Sequence, residues 1–445
     1  MSMSTSYKNR FQKFFHLLSE PTLVKYARQK DSNTFCRNRK MPLKDLLLCC
    51  LSKKGLTTVF EIRNYLKQKQ GKNISLPIQG YLQQRKRLNP EVFSYLNREY
   101  LIDFYRSKEV KRWNGYMVLA IDGSKTEIPN SKENRERFGN SSNQHSPNGP
   151  ARALVSGMYD VLNQFYIDVE IEHISFSETE LAKRNLEHLK KFDLTQPILV
   201  IFDRGYPSIE FVDFLETQGI HYLFRLSSND YIEERRTMNT LDEELIIKHS
   251  YPRLKKIEKK HPERYEELKK KNGTNVRILY SKGSSVNELL LMINISKDIG
   301  AKELADLYYQ RWEIEKKYHT LKNKIKFESI TGKASIYVYQ DFWSQILVYN
   351  MMQDIRKSAD KKVTKIGKQN RNKYPMHTNE NIAIGLFKES MISILLESEL
   401  QKRIQKLESL QLEMERYILP IRKLPSGARK KNISNKYCNN QKYSF

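Results

Sequence analysis

Tyr308, Arg311, Glu315 and Lys322 are separated by three, four and seven residues, a spacing that stacks all four on one face of an α-helix. Leu304, Leu307, Ile314, Tyr318, Leu321 and Ile325 form the adjoining apolar stripe, and Arg311 interrupts it where another aliphatic side chain would be expected. A carboxylate flanked by cations at the edge of a core suits two kinds of chemistry. It can serve phosphate and metal binding, or it can belong to a solvated helix face laced with i,i+4 ion pairs such as Arg311–Glu315. Two more acids end apolar runs upstream, in Tyr116-Met-Val-Leu-Ala-Ile-Asp122-Gly-Ser and in Pro197-Ile-Leu-Val-Ile-Phe-Asp203-Arg-Gly-Tyr. An aspartate at the end of a buried strand is costly to desolvate unless it meets a cation or a metal. Taken singly, each of the two fits equally well as a cap on the turn or helix that follows.

The pattern Y-x2-R-x3-E-x6-K over Tyr308–Lys322, with Arg-Trp-x-Ile-Glu inside it, resembles the signature of the IS4 family of DDE transposases, encoded by bacterial insertion sequences. The resemblance implies that Asp122, Asp203 and Glu315 are the catalytic triad and the ligands of two Mg2+ ions, with Mn2+ as a substitute. Two such ions about 3.5–4 Å apart activate the nucleophile and stabilise the leaving oxygen. Tyr308, Arg311 and Lys322 are then expected to grip DNA phosphates near the cut, Arg311 through two oxygens at once and Lys322 as a point charge. The implied activity is binding of terminal inverted repeats, cleavage of the ends by water, and transfer of the freed 3′ hydroxyl through a hairpin intermediate. Holding two ends of double-stranded DNA for coupled chemistry implies a homodimer. Two readings compete: a metal-dependent nuclease on the same fold, and an inactive, domesticated DNA-binding protein. The three acids argue against the second, and the four-residue signature argues against the first.

To position these acids, the expected fold is α/β, with an RNase H-like catalytic core over residues 111–226 and 299–355. Its elements are a strand at 116–122, a hairpin of 151–162 and 164–174 about Asn163, a helix at 178–192, the strand carrying Asp203, a helix at 209–217 and a strand at 221–226. The hairpin is read from its period-two alternation through Val155, Gly157, Tyr159 and Val161, then Phe165, Ile167, Val169 and Ile171. Residues 227–298 read as a β-rich insertion with strands at 276–280 and 288–295. Its lysine-dense part, through Lys255-Lys256, Lys259-Lys260 and Lys269-Lys270-Lys271, suits either a solvated helical arm or DNA contact. Relatives can stack a flipped base on a tryptophan of this insertion. Here the tryptophans are Trp113, Trp312 and Trp343, which leaves Tyr231, Tyr251 or Tyr280 as possible substitutes.

Residues 1–110 read as an all-helical DNA-binding domain, with helices at 43–51, 57–68 and 90–105. Between the last two, the stretch Ser75–Leu88 carries Arg85, Lys86 and Arg87, expected on phosphates; a plain helical hairpin with a basic surface fits the same residues. A buried helix at 341–352 completes the core. Beyond it, residues 356–445 are a helical, basic C-terminal region, made of a linker at 356–373, a helical segment at 380–418 spaced through Ile384, Phe387, Met391, Leu395 and Leu396, and a tail with no acid after Glu415 that is expected to order only on DNA. A net charge of +27 and a pI near 9.6 over 445 residues call for a polyanionic partner. No apolar run approaches the roughly 20 residues that span a bilayer, so a cytoplasmic, nucleoid-associated protein with no membrane partner is expected. Cys36, Cys49, Cys50 and Cys438 are too sparse and badly spaced for a zinc site or a disulfide frame.

Overall fold

Met117–Glu127 (β1), Arg152–Asp160 (β2), Phe165–His173 (β3), Ile198–Phe202 (β4) and His221–Arg225 (β5) line up in the order β3-β2-β1-β4-β5. The structure is a computed structural model that describes residues 6–30, 32–36, 40–71, 76–141, 149–282 and 288–422. β1 runs parallel to β4, and β4 to β5, while β2 and β3 pair antiparallel; this is the expected RNase H-like core. The hairpin closes where Asp160 Oδ1 accepts from the backbone N–H groups of Leu162 and Asn163, and Gln164 turns the chain at φ 62°. β1 continues past Asp122, where the strand was expected to end. Its antiparallel ladder with β2 persists to Glu127↔Arg152, while the parallel ladder with β4 stops at Ala120↔Ile201.

The inserted strands Asp242–Lys248 (β6), Gly273–Ser281 (β7) and Leu289–Ile293 (β8) extend the same sheet, because β8 pairs antiparallel with β5. The lysine-dense stretch between β6 and β7 is helical and amphipathic. Its Leu254, Ile257, Tyr265 and Leu268 are buried, and Arg264 and Lys271 pair with Asp213 on the neighbouring helix Ile209–Thr217.

Among the described residues six helices precede β1: Tyr7–Leu17 (α1), Leu23–Ala27 (α2), Leu43–Leu51 (α3), Thr58–Gln70 (α4), Ile78–Lys86 (α5) and Glu91–Tyr105 (α6). Lys132–Phe138 (α7) follows β1. Glu178–Leu189 (α8) begins where Ser177 accepts from the N–H of Glu180 and two acids occupy the first turn. The rest are Ile209–Thr217 (α9), Ile232–Arg235 (α10), Tyr251–Lys260 (α11), Pro262–Lys270 (α12), Ala301–Tyr308 (α13), Trp312–His319 (α14), Ser335–Gln369 (α15), Glu380–Leu395 (α16) and Leu400–Arg416 (α17). A short ribbon pairs Met376–Thr378 (β9) with Ile418–Pro420 (β10). Among the described residues no helix is long and apolar enough to cross a membrane.

The amino-terminal helices share one apolar core with α15 and α16: the Phe11 ring meets Tyr100 at 5.7 Å and Phe387 at 6.3 Å. Buried ion pairs fix this contact. Arg10 meets Asp354 at 2.7 Å, and Asp341 receives Arg85 at 2.7 Å and Lys53 at 2.9 Å. Arg85 is therefore not a DNA contact as expected from sequence; it is fully buried, while Lys86 and Arg87 at the end of α5 are exposed. The expected linker at 356–373 is also corrected. α15 continues through it to Gln369, because Ala359 and Val363 extend the buried face and Arg356 is enclosed by Thr378 and Glu380. The carboxy-terminal run from Lys423, Cys438 and the start of the Ser75–Leu88 stretch lie outside the described residues.

This packing assigns different roles to adjacent basic residues. Arg85→Ala leaves Asp341 short of a buried partner and is expected to destabilise the fold by about 3–5 kcal/mol. Lys86→Ala and Arg87→Ala should leave urea-unfolding midpoints unchanged.

Candidate active site

Because parallel pairing stops at Ala120↔Ile201, Asp122 and Asp203 stand on neighbouring strands just beyond the last paired residues. Glu315 comes from α14, which is held against β1 by the Tyr318 hydroxyl donating to the Asp122 carbonyl at 2.8 Å. That approach requires glycine at 157, since a Cβ there would lie 2.8 Å from the Tyr318 hydroxyl.

The guanidinium of Arg311 lies among the three carboxylates: 2.8 Å from Glu315 Oε1, 3.4 Å from Asp122 Oδ2 and 3.8 Å from Asp203 Oδ2. Its side chain is 2% exposed, against 18% for Asp122, 33% for Asp203 and 39% for Glu315, so the cluster is a cup with Asp122 deepest. The rings of Trp312 and Tyr308 lie 5.1 and 5.9 Å from the guanidinium carbon. Tyr308 also donates its hydroxyl to Asp203 Oδ1 at 3.0 Å.

The segment carrying these residues is not the uninterrupted α-helical face expected from spacing. A 3-10 turn over Tyr309–Arg311 separates α13 from α14, and a π-turn over Thr320–Ile325 follows α14. The wider π-turn changes the rotation per residue. Tyr308, Arg311 and Glu315 stay together, while Lys322 reaches further along β1, donating to Ser124 Oγ at 2.9 Å and the Lys125 carbonyl at 2.6 Å. Burial lowers the pKa of the Lys322 ammonium.

Burial pushes the Asp122 carboxyl up to about 7, against the opposing pull of Arg311 and of the Gly123 N–H. Burial also raises Asp203, but the Arg204 N–H, Arg311 and the Tyr308 hydroxyl outweigh it and leave that carboxyl below its ordinary value. The donor set is hard oxygen, suited to Mg2+ or Mn2+. Among the described residues, two buried polar atoms, Arg311 Nε and the hydroxyl of Tyr206, three residues past Asp203, have no hydrogen-bond partner. A cup of carboxylates organised round one cation thus fits divalent metal at the same place. A separate Asp168, Glu170 and His188 cluster also has metal-ligand spacing, with ligand atoms within 4.8 Å of one another. There the imidazole donates to the Asp168 and Glu170 carboxylates, which push it up to about 10, so His188 itself supplies the positive charge.

The Transposase DDE domain family matches residues 113–351, the stretch that contains all three acids. The chain belongs to the DDE-domain transposases. It is similar to transposase InsG of insertion sequence element IS4 from Escherichia coli (strain K12), at 23% identity over 340 residues, 75% of this chain and 74% of that protein. Both matches agree with the resemblance to IS4-family transposases. Among solved structures, the piggyBac transposase synaptic complex with hairpin DNA aligns over 99% of this chain and 91% of that one, with a TM-score of 0.42 and 11% identity. Family membership brings with it the use of divalent metal.

Sequence reasoning missed how the transposase braces α14. Glu380, read only as the start of a helix, takes Lys317 at 2.5 Å, the Thr320 hydroxyl at 3.0 Å and Arg356 at 3.3 Å. Tyr318 was legible only as part of the apolar stripe. Burial opposes ionisation of Glu380, yet Lys317 and Arg356 overcome it and hold the carboxyl down to about 2. A depressed carboxyl contributes stability above its unfolded value and loses it as pH falls through the folded one. Glu380→Gln is expected to cost about 3 kcal/mol at pH 7. The gap from wild type should narrow as pH falls below about 4.5, as read from urea unfolding across pH.

Proposed function

We propose that this transposase binds the terminal inverted repeats of its own insertion sequence, cleaves the ends and joins them to target DNA, with Asp122, Asp203 and Glu315 as the catalytic acids. The observation that supports the reading is the convergence of three carboxylates from β1, β4 and α14 on one buried guanidinium. Those acids are the residues to hold two divalent ions, Mg2+ in the cell and Mn2+ as a substitute. When bound, the ions supply activation of the attacking oxygen and stabilisation of the leaving 3′ oxygen. Tyr308 keeps Asp203 oriented and ionised. Arg311 would offer its paired N–H groups to phosphate oxygens.

Lys322 holds the extension of β1 beyond Asp122, and in this reading exchanges those contacts for the cut strand. Lys86, Arg87 and the basic carboxy-terminal run supply phosphate contacts along double-stranded DNA. Two copies of the chain hold the two ends. A nuclease on the same fold needs the acids but has no use for the Tyr308, Arg311 and Lys322 set around them.

Asp122→Ala, Asp203→Ala and Glu315→Ala are each expected to abolish cleavage of a terminal-repeat duplex in Mg2+ while gel-shift affinity stays within about threefold, because few phosphate contacts are lost. Cleavage by Asp203→Ala above trace level contradicts the assignment. Lys322→Ala should impair attack from a pre-nicked end more than the first nick, since positioning of the 3′ hydroxyl limits that step. Equal losses on intact and pre-nicked duplexes, with a lower melting temperature, would make Lys322 a structural brace only.

A further inference from the structure

Gly123 follows Asp122 directly in β1, and its backbone does not require glycine: its φ lies outside the left-handed region. What lies where a side chain would begin is a carboxylate. A Cβ at residue 123 would stand 2.6 Å from Cδ of Glu178 and 2.8 and 2.9 Å from its two oxygens, so any side chain there would push this carboxylate aside. Glu178 sits in the first turn of α8, which packs across β1, β2 and β3. Its neighbour Glu180 is held by Lys183 at 2.7 Å. Glu178, by contrast, is exposed, and among the described residues no hydrogen bond or ion pair engages its carboxylate.

A second observation points to the same place. Tyr206 is 2% exposed and its hydroxyl has no hydrogen-bond partner. Burial raises this phenol first, and the negative charges of Asp122 and Glu178 raise it further. A buried hydroxyl without a partner is costly, and here it is met by a bound ion's water or by the carboxylates once they shift. Three carboxylates against the single guanidinium of Arg311 leave the cup negative, a balance suited to divalent cations, and Glu178 would add a fourth acid.

We propose that Glu178 is a fourth carboxylate of the catalytic cup, helping to hold the divalent ion bound at Asp122, and that residue 123 is glycine so that this carboxylate can reach it. The proposal rests on the reading of Asp122, Asp203 and Glu315 as metal ligands. The bland alternative is that Glu178 only stabilises the positive end of α8, a role Glu180 shares.

The test is Mn2+ calorimetry on the full chain without DNA, with melting temperatures of the metal-free proteins measured alongside. Glu178→Gln should weaken Mn2+ binding roughly tenfold, the effect typical of groups that support a metal site. Gly123→Ala should weaken it comparably by displacing the carboxylate, and Glu180→Gln should match wild type. Melting temperatures of metal-free Glu178→Gln and Glu180→Gln should agree. If Glu178→Gln binds Mn2+ as wild type does while Asp122→Asn loses it, the proposal fails and the triad reading stands. If Asp122→Asn also binds as wild type does, the triad reading itself fails. Equal drops in melting temperature for Glu178→Gln and Glu180→Gln, with Mn2+ affinity intact, would assign Glu178 to helix stabilisation alone.

Discussion

A guanidinium taken almost wholly out of water must find opposite charge, and Arg311 finds it only because Asp122, Asp203 and Glu315 arrive from three separate segments. Desolvating such an ion costs several kcal/mol if it is left alone. The carboxylates have the converse difficulty, since acids this close raise one another's pKa unless a cation lies between them. The register of β1 on β4, the 3-10 turn at Tyr309–Arg311 and the seating of α14 therefore have to be satisfied together. The protein meets the need with its own cation, Arg311, which holds the three carboxylates together.

The supports of this cluster reach well beyond it. Tyr318 ties α14 to the Asp122 carbonyl, Glu380 gathers Lys317, Thr320 and Arg356, and Lys388 donates to the carbonyls of both Ile325 and Lys53. Lys53 in turn pairs with Asp341 of α15, the residue that also receives Arg85. A continuous series of buried polar contacts thus links the amino-terminal helices to the end of the Tyr308–Ile325 segment. For this reason the helices before β1 share their core with α15 and α16. Burial, and then the charge of Lys53, push the Lys388 ammonium down to about 7 against the pull of Glu61.

The acids and the sheet were legible in the sequence because each has a local signature. Asp122 and Asp203 end apolar runs, the hairpin alternates with period two, and Arg311 interrupts the apolar stripe of the Tyr308–Lys322 segment. What escaped reading depends on contacts between distant residues. Arg85 looks like a phosphate contact beside Lys86 and Arg87, and only Asp341, far along the chain, makes it a core residue. Arg356 begins what reads as a basic linker until Thr378 and Glu380 enclose it. The π-turn that redirects Lys322 has no sequence signal of its own; it follows from Tyr318 and Thr320 being held on opposite sides, by β1 and by Glu380. Gly123 reads as a turn residue after a strand, whereas its neighbour in space is Glu178.

In the proposed function Arg311 holds the place of divalent cations among Asp122, Asp203 and Glu315. Anomalous scattering from Mn2+-soaked crystals of the protein bound to a terminal-repeat duplex tests it most directly. The account predicts Mn2+ peaks bounded by Asp122, Asp203 and Glu315, with the Arg311 guanidinium withdrawn from the carboxylates onto a DNA phosphate. Mn2+ found only at Asp168, Glu170 and His188, with Arg311 still among the three acids, would contradict it.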